Sequence, residues 1–395
     1  MRIHFYILTS FPNAMAAGRR RLCYAKGLIA AGNTVNVAVC RKVKEDNCGL
    51  SDRGIYQGIN YDFVCGRFLK QDMKCKSNTL IDYIKGFIYA LNHIKKGDIV
   101  YCYFYSLIFH LLLIIAAKIK GAKIVREVCE YPFVFGKQTI KIKFLRWIEL
   151  NFLFPLFDGF IPISHSLNAL VRHYKSKHAK SIIIPILVDD MSICKDTRPP
   201  YDVHYIIHTG TMIEQKDGIS IILRAFAKAR KKVNAKIVFT GPQANDKCPY
   251  NNLIDELGIK GSVELLGFVS KEEIDRLQYF ASLSIVYKPD NTQTRNCFPT
   301  KLGEVLLNGI PVITTNIGDA NRYLKNGESA YIIQEGDIDG LSDAIVAALS
   351  NLDASKQIGR NGQTVALKNF SPIIQGKRIS NFYKCFIHRK NGRNI

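Results

Sequence analysis

Residues Asn296 to Thr315 read NCFPTKLGEVLLNGIPVITT and hold most of the residue types that could do chemistry. Pro299 and Thr300 mark a turn. A helix pattern follows, with a single carboxylate, Glu304, among Leu302, Val305, Leu306 and Leu307. Gly309-Ile310-Pro311 stops it before a β-branched strand, Val312 to Thr315. A loop that opens a helix offers unpaired backbone N–H groups and the positive end of a dipole, which suits a phosphate. A carboxylate one turn further in suits sugar hydroxyls, because it accepts two hydrogen bonds in fixed geometry. The pair reads as a site for a nucleotide sugar.

A second constellation lies upstream. A strand ends in His208-Thr209-Gly210-Thr211, and Lys216-Asp217-Gly218 follow just before a helix. Gly210 lets the backbone turn tightly against a ligand, and Lys216 can place an ammonium on a diphosphate. Thr240-Gly241-Pro242 and Gly267-Phe268-Val269 close two further strands. In an open parallel sheet such loops line the ligand crevice, where Phe268 can stack on a base or instead plug the core.

The elements that must position these residues alternate strand and helix. Strands are predicted at Arg2 to Leu8, Val35 to Val39, Asp98 to Phe104, Lys123 to Val128, Gly159 to Ile163 and Ser181 to Ile184. Helices are predicted at Arg19 to Ala31, Thr79 to Ile94, Leu107 to Lys118, Leu145 to Phe154 and Ser166 to Tyr174. Val188 to Tyr201 lacks periodicity and carries Pro199-Pro200, so it reads as a linker. The alternation restarts with strands Tyr205 to His208, Lys236 to Thr240, Val263 to Leu266, Leu283 to Tyr287 and Tyr331 to Ile333. The helices between and after them are Ile219 to Ala229, Asn251 to Leu257, Lys271 to Tyr279 and Ile338 to Leu349. Short apolar strands separated by helices imply parallel sheets covered on both faces. The expected architecture is α/β: two doubly wound Rossmann-like domains facing a cleft. They span residues 1–187 and 203–370, joined by 188–202, and a helical segment 371–395 crosses back to the first.

Length and composition bound the function. A chain of 395 residues implies about two domains. Hydrophobic content of 47% and charged content of 22% are globular values. The 55 Lys+Arg against 33 Asp+Glu give a net charge of +22, which favours anionic partners such as nucleotide phosphates, nucleic acid or an acidic membrane surface. The eleven cysteines show no CxxC pairs and no His at ligand spacing, so a metal site is not expected, and free thiols in a reducing cytoplasm are. Ile99 to Ala117 carries no Asp, Glu, Lys or Arg, but a turn at Tyr105-Ser106 divides it into a strand and a buried helix rather than a membrane span.

Taken together, the G-x5-K element from Gly210 to Lys216 and the P-T-K-x-x-E-x4-G-x-P-V-I element from Pro299 to Ile313 resemble the retaining glycosyltransferases of family 4, with the GT-B fold. Weaker matches are Ala31 to Val35, Phe160 to Ser164 and Ile184-Pro185. The resemblance implies transfer of a sugar from a UDP- or GDP-sugar to a hydroxyl acceptor with retention and no required metal or other cofactor. It implies that Glu304 holds the ribose, that Lys216 neutralises the diphosphate leaving group, and that the backbone around Phe298, Thr300, Lys301 and Leu302 meets the phosphate or donor sugar. Gly18 would let the first domain close on the diphosphate.

Three positions depart from the pattern. Asn296 stands where the first carboxylate of an E-x7-E pair is usual. Thr211 stands where Arg often follows the first Gly, and Arg295 or Lys301 is expected to replace that cation. Glu127-Val128-Cys129-Glu130-Tyr131-Pro132 stand where many members have a His in the first domain, so Glu130 or Glu127 is expected to orient or deprotonate the acceptor. His165, at a helix start, is a weaker candidate contact.

The stretch from Lys137 to Phe154 alternates Lys141, Lys143 and Arg146 with Ile140, Phe144, Leu145 and Trp147. Such a basic, aromatic helix suits a membrane interface. Arg19-Arg20-Arg21 and the C-terminal Lys377-Arg378 and His388-Arg389-Lys390 add positive charge. The expectation is a cytoplasmic enzyme, peripheral on an anionic membrane face, with a lipid-linked or saccharide acceptor in polysaccharide or glycolipid synthesis. Two other classes remain: a GT-B-type nucleotide-sugar 2-epimerase, and a nucleic-acid-binding protein, which the charge alone suggests and no recognised motif supports.

Overall fold

The computed structural model describes residues 1–12, 16–44, 49–68, 79–104, 106–132, 139–189 and 198–387. The chain forms two compact units. One comprises Met1–Leu187 with Pro372–Ile395, the other Val188–Ser371. Most of the sequence-predicted linker, the Lys137 end of the basic stretch and His388 to Lys390 lie outside the described residues.

The strands of the first unit are β1 (Arg2–Ile7), β2 (Thr34–Val39), β3 (Val43–Lys44), β4 (Arg53–Tyr56), β5 (Ile59–Asp62), β6 (Arg67–Phe68), β7 (Ile99–Cys102), β8 (Lys123–Val128), β9 (Gly159–Pro162) and β10 (Lys180–Ser181). Eight of them form one sheet in the order β10-β9-β8-β7-β1-β2-β5-β4, parallel except for the β4–β5 hairpin. That hairpin was not predicted. Its turn residues Gln57 and Gly58 both have positive φ, a two-residue turn that only the Gly announces in the sequence.

The helices of this unit are α1 (Ala16–Ala30), α2 (Thr79–His93), α3 (Leu107–Lys120), α4 (Ile140–Ile148) and α5 (His165–Tyr174). The apolar run from Ile99 divides into β7 and α3, with Ser106 capping the helix and Gly121 ending it at φ 66°. The basic stretch is helical from Ile140, earlier than the predicted Leu145, and tightens through a wide turn at Glu149–Leu153 and a short one at Phe154–Leu156.

The second unit contains β11 (Tyr205–Thr209), β12 (Lys236–Thr240), β13 (Val263–Leu265), β14 (Leu283–Val286), β15 (Val312–Thr315) and β16 (Tyr331–Ile333), all parallel, in the order β13-β12-β11-β14-β15-β16. Its helices are α6 (Glu214–Asp217), α7 (Ile219–Ala229), α8 (Asn251–Glu256), α9 (Lys271–Phe280), α10 (Thr292–Asn296), α11 (Thr300–Leu307), α12 (Ala320–Tyr323), α13 (Ile338–Ser350) and α14 (Leu352–Asn369). Ile206, Ile237, Phe239, Ile285 and Ile313 from the strands bury against Ile222, Phe226, Leu341 and Ile345 from α7 and α13. The unpredicted α14 packs on α11 by bringing Gly359 and Gly362 against the backbone of Gly309 and Ser329.

The last helix, α15 (Pro372–Ile387), belongs to the first unit and packs along α1. The contact is backbone on backbone: a Cβ on Gly27 would lie 2.0 Å from the Pro372 carbonyl oxygen, and one on Gly376 2.1 Å from the Gly27 carbonyl carbon. Glycine at both positions is what admits this approach. Ile379, Phe382 and Tyr383 of α15 then complete the apolar core of that unit.

Candidate functional site

Chain order and sheet order diverge at β11. The chain steps to β12 on one side and later returns to β14 on the other. The loops leaving β11 and β14 therefore part at the carboxyl edge of the sheet and leave a crevice, where open α/β sheets bind ligands. Two side chains, through three hydrogen bonds, tie these loops together. Lys288 Nζ, just past β14, donates to the Lys216 carbonyl oxygen at 3.0 Å and to Asp217 Oδ1 at 2.8 Å. Asn291 Nδ2 donates to the Gln215 carbonyl oxygen at 2.8 Å.

Asp217 organises the β11 side. Its Oδ2 accepts from the Thr211 backbone N at 3.1 Å and from Thr211 Oγ1 at 3.0 Å. Burial alone would raise its carboxyl; Lys288 and the nearby His208 outweigh that and hold it below the usual carboxylate range. Thr211 is thus turned inward onto Asp217. His208 is buried, donates through Nδ1 to the Ile285 carbonyl oxygen at 2.9 Å, and has its pKa lowered first by burial. Asp217 and Lys288 carry this network, and sequence reading assigned neither a role. The one available signal was that Asp217 adjoins Lys216.

Three carboxyl-terminal loops meet by close backbone approach. The Gly210 N–H donates to the Thr240 carbonyl at 3.1 Å and the Gly241 N–H to the Gly267 carbonyl at 2.7 Å. Gly241 has φ +134°, and a Cβ there would stand 1.8 Å from the Gly210 oxygen. Phe268, next in the chain, is 82% exposed, so it does not plug the core.

On the β14 side, Asn291 caps α10 through Gln293 N and Thr294 N. Asn296 ends that helix with little exposure, its Nδ2 donating to the Thr292 carbonyl at 2.6 Å. Arg295 Nη2 donates to Asp290 Oδ2 at 2.8 Å, so the cation expected to serve the diphosphate is paired with a carboxylate at the surface. The start of α11 receives no side-chain cap among the described residues. Thr300 is exposed, and Lys301 Nζ lies 3.0 Å from Glu304 Oε2 one turn on. At Phe298 and Leu302 the groups expected to meet a ligand are the backbones. Phe298 packs edge-on against Tyr323 and Phe370, Leu302 is fully buried, and only their backbones are left for a ligand.

In the first unit, the candidate acceptor base Glu127 ends up inside the fold. It is buried and accepts from Arg20 Nε at 2.6 Å and from the Tyr101 hydroxyl. Arg20 also donates to the carbonyls of Pro185 and Ile184 and to the Tyr24 hydroxyl. Both charges are consumed inside the unit, so Glu127 holds structure and Arg20 adds nothing to the surface charge. Arg21 is buried as well, bonded to Thr9 Oγ1 at 2.5 Å and lying over the Tyr103 ring. Glu130 is half-buried two residues past β8, at the carboxyl edge. Gly18 is buried in the first turn of α1. His165 opens α5, whose cap is Ser164. Among the described residues no group of His, Cys, Asp or Glu is placed to hold a metal ion.

Two doubly wound parallel-sheet units define the GT-B class of fold, and solved structures of that class superpose on the chain. Sucrose-phosphate synthase from Thermosynechococcus elongatus aligns with a TM-score of 0.73 at 14% identity, over 98% of this chain and 99% of that one. HepE of Anabaena in complex with UDP and glucose aligns with a TM-score of 0.69 at 16% identity, over 98% and 100%. Residues 195–365 match the family described as glycosyl transferases group 1, and the match falls within the second unit. The capsular polysaccharide biosynthesis glycosyltransferase CapM of Staphylococcus aureus is 25% identical over 198 residues, 49% of each chain. The N-acetyl-alpha-D-glucosaminyl L-malate synthase of Bacillus anthracis is 23% identical over 173 residues, 44% of this chain and 43% of that one. The chain spans about half the length of the curated relatives it matches.

Proposed function

We propose that the chain is a retaining glycosyltransferase of family 4 that moves a sugar from a nucleoside diphosphate sugar to a hydroxyl acceptor in polysaccharide or glycolipid synthesis. The observation that carries the reading is the crevice between β11 and β14, where the Lys216 loop and the uncapped start of α11 stand at one sheet edge inside the segment 195–365. Neighbours of the same fold are described with UDP and glucose and with UDP-2-fluoro glucose, which favours UDP as the donor's nucleotide. CapM, by its description, works on capsular polysaccharide, which favours a saccharide or lipid-linked acceptor.

In this reading the leaving diphosphate lies against the backbone N–H groups of Thr300 to Leu302 and the Lys216 ammonium. Charge builds on it as the glycosidic bond breaks, and donors fixed in advance lower that barrier without reorganising. Lys288 acts on Lys216 at one remove, by holding its carbonyl. Glu304 takes the ribose hydroxyls, with Lys301 Nζ 3.0 Å from its Oε2. Gly210 and Thr211 bring the β11 loop close to the ligand, and Phe268 stacks on the base. Asn296 contacts the donor sugar as a neutral hydrogen-bonding group, and Gly18 remains a candidate diphosphate contact at the start of α1. Glu130 orients or deprotonates the acceptor hydroxyl.

A panel of UDP- and GDP-sugars tests this, scored first by thermal shift and then by hydrolysis or transfer. One nucleotide should raise the melting temperature, and Glu304→Gln should weaken its binding at least about tenfold through the lost ribose contacts. No shift with any nucleotide sugar would refute the proposal, and epimerisation of the donor without transfer would replace it.

A further inference from the structure

The helices α2, α3 and α4 cover the same face of the first unit's sheet. The run β7-α3-β8-α4-β9 crosses the sheet in one direction, so right-handed connections place both helices on one side. Tyr83 of α2 stacks on Phe109 of α3 at 5.1 Å. At the other flank Glu149, at the end of α4, accepts from Arg126 and Arg146 at 2.5 Å, with His110 of α3 beside it. The three helices are therefore neighbours in one layer, locked to the sheet from inside.

Their outer faces are apolar. On α2 the exposed stripe is Leu80, Ile84 and Ile88, repeating every four residues, with Ile81 beside it. On α3 it is Ile108, Leu111, Ile115 and Ile119, while Phe109, Leu113, Ile114 and Ala117 bury toward the sheet. Up to the lysines of its last turn this helix exposes apolar residues as well as burying them, where a surface helix normally turns a polar face to water. None of the described α4 residues is buried, although Ile140 is 87% exposed and Phe144 and Trp147 stand beside it. Exposed apolar residues scattered singly mean little; three adjoining stripes form a patch of the kind that marks an interaction surface.

The charges around the patch say which partner it fits. Lys85, Lys118, Lys141 and Lys143 are exposed among these stripes. The only carboxylates in the three helices and the turn after α4 are Asp82 and Glu149, both buried; Asp82 accepts from the Lys42 backbone. Aliphatic stripes, a Phe-Trp pair, lysines and no exposed acid together complement an anionic lipid surface. Among the described residues no helix is long and apolar enough to cross a membrane, so contact would be from one side.

We infer that the outer face of the α2–α3–α4 layer docks into the headgroup region of an anionic bilayer, with Ile115, Ile119 and Trp147 inserting and Lys141 and Lys143 pairing with lipid charge. The inference deepens the proposal of a lipid-linked acceptor, because it would hold the first unit at the surface that carries one.

Trp147 is the one tryptophan of the chain, so its fluorescence reports docking directly. The full chain is mixed with vesicles of phosphatidylcholine alone or with phosphatidylglycerol, at low and high salt. The expected result is sedimentation with the anionic vesicles and a blue-shifted emission, with Lys141→Gln/Lys143→Gln losing about an order of magnitude in partitioning. Ile115→Gln/Ile119→Gln should lose at least about tenfold. Both positions are exposed, so the fold should survive, and an unchanged melting temperature and nucleotide-induced shift check this. Wild-type protein left in the supernatant, or the Ile115→Gln/Ile119→Gln variant sedimenting as before, overturns the inference. So does a concentration-dependent dimer that this variant makes monomeric without any vesicle binding, since the patch would then face a second copy. Absence of a nucleotide-induced shift with docking intact would instead count against the transferase reading.

Discussion

Gly241→Ala should disrupt the carboxyl edge of the second unit's sheet and weaken nucleotide binding, while Gly258→Ala, chemically the same change, should do neither. Both glycines have positive φ, +134° at Gly241 and +66° at Gly258. They differ in space. A Cβ on Gly258 meets nothing within 4 Å, whereas one on Gly241 falls 1.8 Å from the Gly210 carbonyl oxygen. That is roughly 1.5 Å short of a van der Waals contact, and the obstacle is backbone, which cannot swing aside. Relieving it separates the loops after β11 and β12 and breaks the Gly210–Thr240 and Gly241–Gly267 hydrogen bonds, worth about 1 kcal/mol each. The backbone region at φ +134° adds about 1–3 kcal/mol of strain for alanine. The sum is about 3–5 kcal/mol, against about 1 kcal/mol for Gly258→Ala, where only the left-handed conformation opposes the side chain. For a unit of this size each kcal/mol lowers Tm by about 2–4 °C, so the expected shifts are about 6–20 °C and about 2–4 °C. Thermal melts and calorimetric titration with UDP and GDP read both effects, and displacement of the Gly210 loop should cost at least tenfold in affinity (about 1.4 kcal/mol). Equal melting of the two variants with unchanged affinity would refute the close-approach argument.

Other outcomes follow from the buried charges. Glu127→Gln should lower Tm by about 6–20 °C, because removing one partner of a buried pair leaves Arg20 uncompensated at a cost of about 3–5 kcal/mol. Turnover per folded molecule should survive that change, whereas Glu130→Gln should melt normally and lose roughly 100-fold in turnover; the opposite pattern would exchange their roles. A double-mutant cycle on Asp217→Asn and Lys288→Met should return a coupling of about 1–2 kcal/mol by urea unfolding, the lower range reflecting the partial exposure of Lys288; zero coupling would remove the pair as the tie between the two loops. His4, His110 and His208 all have pKa values lowered first by burial. A folded-state pKa below the unfolded 6.5 gives stability that is present above pH 6.5 and lost as pH falls. The slope approaches about 1.4 kcal/mol per pH unit for each fully depressed histidine. Urea midpoints at pH 7.5, 6.5 and 5.5 should therefore decline, His110→Phe should flatten the decline, and a midpoint that rises toward pH 5.5 would contradict the burial assignment.

Local pattern alone was enough for the regular elements. The lengths of Lys123–Val128, Ile219–Ala229, Lys236–Thr240, Val312–Thr315 and Tyr331–Ile333 follow from apolar runs and their Gly or Pro stops. A strand's alternation and a helix's caps are properties of a few neighbouring residues, so they are legible in one dimension. The Gly210–Lys216 and Pro299–Ile313 elements were legible for the same reason, since each is a single loop with its adjoining helix. Elements stabilised from elsewhere were not. The β4–β5 hairpin has weak turn chemistry and gains its place by pairing β5 with β2, and α14 is held by backbone approach of Gly359 and Gly362 to Gly309 and Ser329.

What only the tertiary structure decided is which polar groups are spent. Glu127 and Glu130 are equivalent in the sequence; the fold buries one against Arg20 and Tyr101 and leaves the other at the sheet edge. Arg295 looked like a spare cation until Asp290 was seen to hold it. Lys288 and Asp217, 71 positions apart, become the clasp between two loops because β11 and β14 are adjacent strands. The apolar α3 reads as a buried helix in the sequence, since hydrophobic content does not say whether a second layer arrives to cover its outer face. Residue types fix the chemistry a site can offer, but strand order determines which charges meet and which surfaces stay open.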